Sequence, residues 1–438
     1  MAEGVQTDSV LRSELAEEHL KQWARWLEGD ETLPPPGFIT AGVRPDLQQL
    51  LLIGHSRGGS AANAVALKSA ANASLPWRVR AQVLIGPTAS FFDPPPALPT
   101  VVLLPGCDGD AFDLQGQSYL DRGRDLNVNN ALRSAVFIHG ANHNFFNSEW
   151  DPTTAAIPAA SDDDAVGTFF RDSAPEGACA PDAKERLSGE AQRELGGFYI
   201  AAAGKAFVQG EASVLPLFDG SPVCAGPTCR TSIQTHALGG RRQPLLIPSV
   251  DTTLTPSEQV SVTQCFTSRD VEEAGACITP DMPTFSGLAR TPHFLRQSIY
   301  GEDVTQAPAR VALHMQWSTA AGAARIDASQ PALRSGATDV TLRVIVPPAA
   351  VGTTFALSLI DSAGTSLPLG AAALSGVPAN AGARTGVYWA QEVRFPIDLE
   401  AAAAAGFDVD AIQSLEIAPQ SSSGRLWLLD AWSYAPGA

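Results

Sequence analysis

Apolar positions in the first half of the chain form short continuous runs, separated by segments with helical spacing. The runs lie at residues 48–54, 81–86, 100–106 and 135–140. Such runs are typical of strands buried on both faces of a parallel sheet. Helices are predicted at about residues 8–28, 60–71 and 190–208, between and around the strands. The alternation predicts an α/β fold with a parallel sheet over residues 1–210.

The period changes to two in the last third of the chain. Val340, Leu342 and Val344 alternate with other side chains, and Phe355, Leu357 and Leu359 repeat the pattern. Short alternating strands between turn signals predict an antiparallel β-sandwich over residues 301–438. Residues 211–300 are rich in Pro, Gly, Ser and Thr, and we expect them to be a connecting region between the two domains.

Composition and net charge limit the kinds of partner that the chain can bind. The 438 residues are 45% hydrophobic and 17% charged, which argues against disorder over most of the chain. No uncharged apolar run reaches the roughly 18–20 residues of a bilayer span. The net charge of −17 repels nucleic acid and anionic lipid. We therefore expect neither nucleic acid nor a membrane as a partner.

Six cysteines indicate the compartment. Proximity in the sequence favours the pairs Cys224–Cys229 and Cys265–Cys277, which leaves Cys107–Cys179. The four residues between Cys224 and Cys229 are not the spacing of a common zinc knuckle, and we expect no metal site. Disulfides favour a secreted or otherwise extracytoplasmic protein. The first nine residues, in contrast, have neither the basic nor the apolar part of an export signal.

A G-x-S-x-G motif carries the candidate chemistry. Gly54-His55-Ser56-Arg57-Gly58 follows an apolar run and precedes a small-residue helix. A serine on a tight strand-to-helix turn is exposed at the carboxyl edge of the sheet, and glycines around it avoid collisions with the neighbouring strand or helix. The backbone N–H of Arg57 would donate to a developing oxyanion.

A serine nucleophile needs a histidine base that a carboxylate orients. His143 follows the run at 135–140, and we expect it to be the base. Asp110, after the run at 100–106, is the preferred acid, and Asp108 is the alternative. His55 is expected to point away from the site because of its position in the turn. The other carboxylates and histidines are less favoured: Asp93, Asp113, His19, His139, His236, His293 and His314.

These motifs together resemble those of the α/β-hydrolase superfamily. Gly54-HSRGG59, Gly106-CDGD110 and Gly140-ANH143 are most similar to dienelactone-hydrolase-like, chlorophyllase-like and polyester-hydrolase or cutinase-type esterases. The resemblance covers about residues 10–210. It implies Ser56 as nucleophile, Asp110 as acid and His143 as base, with no metal or organic cofactor.

The chain departs from that family's pattern before the motif. Only 55 residues precede Ser56, and they hold one predicted helix and little strand. The upstream strands and the second oxyanion donor would then be absent. We therefore expect an N-terminally truncated parallel sheet, with residues 37–42 a poor replacement for the missing loop.

Aromatic residues offer two candidate binding surfaces. Near the triad, an apolar acyl or aromatic subsite is expected from five side chains: Phe91, Phe92, Phe145, Phe146 and Trp150. The C-terminal sandwich resembles jelly-roll modules of secreted hydrolases, some of which bind carbohydrate. Trp427 and Trp432 are candidates for stacking on a glycan there, although core packing is the favoured interpretation of both.

The predicted function is serine-dependent hydrolysis of a carboxylic ester, with a polyester or an aromatic ester as candidate substrate. One alternative is a catalytically impaired protein that keeps the serine turn as scaffold and acts as a binding or cell-surface module. Another is an amidase or peptidase. Carbohydrate remains a candidate partner of the C-terminal domain.

Overall fold

The computed structural model describes residues 2–29, 44–89, 95–111, 114–125, 130–155, 179–180, 182–267, 274–279, 284–285, 288–289, 292–294, 310–347, 352–374 and 388–436. The candidates Phe91, Phe92, Asp93 and Asp113 lie outside these residues, as do residues 37–42.

The four apolar runs of the first half form parallel strands. The strands are β1 (Leu50–His55), β2 (Val79–Ile85), β3 (Thr100–Pro105) and β4 (Arg133–Ile138). They lie side by side in chain order, and β5 (Ile233–Leu238) joins β4 in the antiparallel sense. The residues of β3 and β4 are buried throughout, because helices and the second half of the chain cover both faces of this mixed sheet.

Helices cover the mixed sheet. The helices of this half are α1 (Ala2–Glu28), α2 (Arg57–Ala71), α3 (Ser118–Asp125) and α4 (Gly189–Ala203). Ser188 begins α4 by accepting the N–H of Ala191 at 3.2 Å, and a π-helical turn at Gly204–Val208 extends the helix. Leu195, Tyr199 and Ala203 of α4 pack with Val83, Leu103 and Val136 of the sheet.

Two antiparallel sheets form the rest of the described structure. One contains β6 (Arg242–Leu246), β8 (Val260–Phe266), β11 (Val311–Trp317), β13 (Asp339–Ile345), β16 (Ala390–Pro396) and β18 (Gly424–Tyr434). The other contains β7 (Leu254–Pro256), β12 (Ala324–Asp327), β14 (Thr354–Asp361), β15 (Ser366–Ala373) and β17 (Ile412–Pro419). The short pair β9 (Thr284–Phe285) and β10 (Leu288–Ala289) and the helix α5 (Leu399–Ala404) complete the elements.

The two-residue period places one core between the antiparallel sheets. Val340, Leu342 and Val344 of β13 face Phe355 and Leu357 of β14 in this core. The alternate residues of β13 are also buried, since Thr341 and Arg343 are at most 1% exposed. Arg343 binds Asp121 of α3, and Trp432 of β18 packs with Leu238 of β5, so the sandwich packs on the mixed sheet and leaves no solvated face at this place.

The predicted fold class is wrong for the chain as a whole. The described sheets are mostly antiparallel, with 33% of residues in strands and 27% in helices. The parallel strands β1–β4 are a minority of the strands, and even their sheet includes the antiparallel β5. Residues 211–300, expected to be a connecting region, supply strands to all these sheets, because β5, β6, β7 and β8 start within them.

The cysteine pairing is confirmed. Cys107–Cys179, Cys224–Cys229 and Cys265–Cys277 are disulfides, and no free cysteine is found among the described residues. Three disulfides agree with an oxidising location. None of the described helices has the length and apolar character needed to span a membrane.

Candidate functional site

Ser56 lies on a strained turn between β1 and α2. Its backbone has φ 57° and ψ −128°, a region that non-glycine residues rarely adopt. Such strain persists where the surrounding structure enforces it, and it is concentrated at functional sites. The Ser56 N–H donates to the carbonyl of Ile85 at 2.9 Å, and this bond fixes the turn against the end of β2.

Two of the three glycines around Ser56 are required by close backbone approach. A Cβ at Gly54 would lie 2.2 Å from the carbonyl oxygen of Gly58, and one at Gly59 would lie 2.6 Å from Cβ of Pro87. A Cβ at Gly58 would meet nothing within 4 Å. The expected collision therefore holds for Gly54 and Gly59, but the second glycine of the motif itself has room for a side chain.

His143 is paired with Asp108 rather than with the preferred Asp110. The Nδ1 atom of His143 lies 3.0 Å from Oδ2 of Asp108, and the two side chains are 0% and 1% exposed. Asp110 is 58% exposed, and its Oδ2 lies 3.7 Å from the other ring nitrogen, Nε2. Asp108 therefore occupies the place of the carboxylate that orients a base, and this corrects the order of the two candidates.

Ser56 and His143 both border the carboxyl end of β2. Gly86 directly follows Ile85, the residue that binds the Ser56 N–H. A Cβ built on Gly86 would lie 3.0 Å from Nδ1 of His143 and 3.3 Å from Oδ2 of Asp108. The absence of a side chain at Gly86 thus makes room for the His143–Asp108 pair beside the serine turn.

The loop that carries Asp108 is held at its start. The N–H of Cys107 donates to the carbonyl of Ala141 at 2.7 Å, and the Cys107 side chain is bonded to Cys179. The Asp108 Oδ1 atom accepts the N–H of Asp110 at 2.9 Å. The carboxylate is therefore fixed both by its own turn and by the bonds of the preceding residue.

Gln192 of α4 positions the residue before His143, and no sequence motif points to this glutamine. Its side chain is 0% exposed. The amide donates to the carbonyl of Asn142 at 2.6 Å and accepts the Asn142 N–H at 3.0 Å. Because Gln192 and Asn142 are 50 positions apart in the sequence, no local spacing of residues predicts this contact.

His55 belongs to the site, although the sequence placed it away from it. Its Nε2–H donates to the carbonyl oxygen of His143 at 2.9 Å, and Asn147 donates to its Nδ1 at 3.4 Å. Burial, together with repulsion from His143, lowers the pKa of His55 to about 3. His55 is therefore neutral, and it supports the His143 backbone rather than supplying charge.

Two of the expected aromatic residues are close to the histidines. The ring centroid of Trp150 lies 5.0 Å from that of His55 and 6.3 Å from that of His143. Phe146 lies 6.3 Å from His55 and also packs near Gly196 of α4. Phe145 is half-buried in the same loop. The aromatic subsite stays a prediction, with Trp150 as its most exposed described member.

Arg57 is the first residue of α2. N–H groups in the first turn of a helix lack an acceptor one turn before them within the helix. The position agrees with the expected oxyanion donor, which stays a prediction. No cluster of three or more metal-ligating side chains is found in the described parts of the chain.

The remaining candidates are structural in the fold. Trp427 and Trp432 are 0% and 9% exposed, as expected for core packing rather than for stacking on a glycan. His314 stacks on Trp427 with ring centroids 4.8 Å apart. His139, His236 and His293 are buried, and His19 is exposed on α1. None of these histidines is paired with Asp108.

Comparison with known proteins gives only distant structural likeness. No family model matches the chain, and no curated protein matches it by sequence. A family 11 carbohydrate-binding module from Clostridium thermocellum is 8% identical, covers 45% of this chain and 98% of its own, and has a TM-score of 0.26. The K2 cleaved adhesin domain of Lys-gingipain is 11% identical, covers 44% of this chain and 97% of its own, and also scores 0.26.

The expected membership of the α/β-hydrolase superfamily is corrected by these findings. The described residues are rich in antiparallel sheet, and no family model matches the chain. The resemblance to dienelactone hydrolases, chlorophyllases and cutinases is wrong with it, so family membership does not identify the chain as a hydrolase or esterase.

Proposed function

We propose that Ser56 is a nucleophile for carboxylic-ester hydrolysis. Ser56 Oγ attacks the ester carbonyl carbon as His143 Nε2 takes its proton, while Asp108 holds the Nδ1–H. The Arg57 N–H stabilises the oxyanion. His143 then protonates the departing alcohol, and a water molecule activated by His143 releases the acid from Ser56.

The buried pair of His143 and Asp108 is the observation that carries this proposal. An imidazole whose Nδ1 faces a carboxylate is held in the tautomer that leaves Nε2 able to accept a proton. The pair lies beside Gly86, at the sheet edge where Ser56 turns with positive φ. A strained serine and an oriented base at one edge are what nucleophilic catalysis requires.

Hydrolysis of p-nitrophenyl acetate and p-nitrophenyl butyrate tests the proposal. We expect turnover by the wild-type chain and a loss of about 10⁴–10⁶-fold in Ser56→Ala, the range for removing a triad serine. Ser362→Ala, which removes an exposed hydroxyl in the sandwich, is the matched control and should retain the wild-type rate. Equal rates for wild type and Ser56→Ala would remove the proposal.

A second candidate function is non-catalytic binding, with the serine turn kept as scaffold. The position of Asp110 favours it, because its carboxylate lies 3.7 Å from Nε2, the ring nitrogen that has to be open to the serine hydroxyl for catalysis. Under this proposal the protein lies outside the cytoplasm and binds carbohydrate through residues 301–438. Retention of the full chain on immobilised polysaccharides, together with ester turnover equal to that of Ser56→Ala, is its expected result.

A further inference from the structure

A polar cavity lies where the edge strand β5 meets β16 of the sandwich. Its volume is about 350 Å³, within the range of small-molecule sites. Gln234 and Thr235 of β5 line one side, and Trp389, Gln391 and Glu392 line the other. The two strands are tied together where Glu392 accepts the N–H of Ala237 at 2.9 Å.

One donor in the wall of this cavity has no acceptor from the described protein. Trp389 is 0% exposed, and its ring stacks on Phe137 with centroids 4.4 Å apart. Its Nε1–H is buried without a hydrogen-bond partner among the described residues. A buried donor left in that state costs about 1–3 kcal/mol, so an acceptor that reached it from the cavity, which Trp389 lines, would be stabilised.

The single ionic side chain in the described lining of the cavity is Glu392, and it is paired with cations outside the lining. Arg242 and Arg394 both bind its Oε1, at 2.8 and 3.2 Å. Arg394 also lies 3.6 Å from a carboxylate oxygen of Asp219 and 3.9 Å from one of Asp339. Because two cations compensate the one charge in the wall, the cavity favours an uncharged ligand.

The other polar groups of the wall are amides and hydroxyls. They come from Gln234 and Gln391 and from five hydroxyl residues: Tyr199, Ser221, Thr228, Thr231 and Thr235. Amides and hydroxyls both donate and accept, as do the hydroxyl groups of a sugar. A charged metabolite or an apolar chain would leave this wall unmatched.

We propose that this cavity binds one neutral saccharide unit, with Trp389 Nε1–H donating to a sugar oxygen. The site is separate from Ser56, since β1 and β5 are opposite edges of the mixed sheet. It is also separate from the aromatic stacking expected for Trp427 and Trp432. The proposal does not rest on ester hydrolysis.

Ligand-observed NMR titration of the full chain with the methyl glycosides of glucose, galactose, mannose and xylose tests it. We expect saturable binding of at least one glycoside. Trp389→Phe keeps the stacked ring and removes the donor, and Gln391→Leu removes an amide. Each should weaken binding by about tenfold or more, an amount that corresponds to about 1.4 kcal/mol.

Trp427→Phe is the matched control, because Trp427 is equally buried and its Nε1–H also lacks a partner among the described residues. It lies outside the cavity lining and should leave the affinity unchanged. Binding should also persist in Ser56→Ala, which separates this site from the proposed hydrolysis. The proposal is overturned if no glycoside binds up to about 10 mM, if Trp427→Phe and Trp389→Phe weaken binding equally, or if tri-alanine binds in place of the sugars.

Discussion

Two carboxylates lie beside the imidazole of His143, and they differ in burial. Asp108 is 1% exposed and faces Nδ1, whereas Asp110 is 58% exposed and faces Nε2. Water screens a charge at an exposed residue, so Asp110 interacts weakly with the ring. Asp108 is fixed by its own turn and interacts in a low-dielectric setting, where an orienting hydrogen bond is strongest.

Exchange of each carboxylate for its amide separates the two roles. Asp108→Asn should lower the rate of ester hydrolysis by about 10²–10⁴-fold, because the amide no longer holds the productive tautomer. Asp110→Asn should change the rate by less than about tenfold, since an exposed carboxylate contributes little. Steady-state rates with p-nitrophenyl butyrate measure both. A larger loss in Asp110→Asn than in Asp108→Asn would reverse the assignment.

The sequence located the residues of the site better than their partners. Ser56 and His143 follow apolar runs, and the end of a buried strand is a local feature that a sequence displays. The choice between Asp108 and Asp110 depends on which of the two side chains is buried beside His143. The two residues are only two positions apart, so the sequence does not decide between them. Gln192 and His55 act through bonds to the backbone of Asn142 and His143, and no local pattern announces such bonds.

At the scale of elements, a buried ionic network joins α3 to the sandwich. Arg343 of β13 donates to Asp121 of α3 at 2.8 Å and to Asp430 of β18 at 2.9 Å. Arg124 of α3 also binds Asp430 at 2.9 Å. Burial opposes the ionisation of Asp121, but His293, Arg343 and Arg310 outweigh it and lower its pKa well below the usual range.

Removal of the central cation should strongly destabilise the fold. Arg343→Met leaves the carboxylates of Asp121 and Asp430 buried with fewer partners, and we expect a loss of about 3–5 kcal/mol in the free energy of unfolding. Arg325→Met breaks the more exposed pair with Glu416, 2.7 Å apart, and should cost at most about 1 kcal/mol. Urea denaturation of both variants measures the difference. Equal losses would contradict the network's role.

The elements themselves were partly predictable. The four apolar runs match β1–β4, because a strand buried on both faces has no polar position to interrupt it. The strand β5 contains the polar residues Gln234, Thr235 and His236 and lies in a segment rich in turn formers. The hydrophobic pattern therefore does not predict this edge strand. Arg343 occupies a polar position of an alternating strand, and this pattern predicts a side chain that is exposed to solvent. In the structure the side chain contacts α3 instead.

At the scale of the whole molecule, His236 is buried in its neutral form where the mixed sheet meets the sandwich. His236 of β5 is 1% exposed, and its ring centroid lies 6.4 Å from that of His293. Burial, with repulsion from Arg343 and His293, lowers the pKa of His236 well below its usual range. The folded chain therefore binds fewer protons there than the unfolded chain does in mild acid.

Stability should consequently fall as the pH falls below about 6.5, the ordinary pKa of histidine. In that range the unfolded state gains a proton at His236 that the folded state excludes, so the free energy of unfolding rises with pH. His236→Leu should lose less stability than the wild type between pH 7 and pH 5. Urea midpoints at the two pH values test this. A variant that loses as much as the wild type would show that His236 is not a source of the dependence.

The packing of the sandwich on the mixed sheet was the feature least predictable from the sequence. The two-residue period indicated the sandwich core, and proximity of cysteines gave the three disulfides. The packing of the sandwich on α3 and β5 depends on contacts across more than 200 residues, such as Arg343 with Asp121. For the same reason, the pattern of the first 210 residues predicts the wrong fold class for the whole chain.

Covalent labelling with a fluorophosphonate tests the central claim most directly, because the reagent modifies only an activated serine. After treatment, peptide mass spectrometry of the wild-type chain should find a single adduct, on Ser56. In His143→Gln, which lacks the base, the rate of labelling at Ser56 should fall by at least about 10²-fold. An unmodified Ser56 in the wild type, or an equal rate in His143→Gln, would contradict the account.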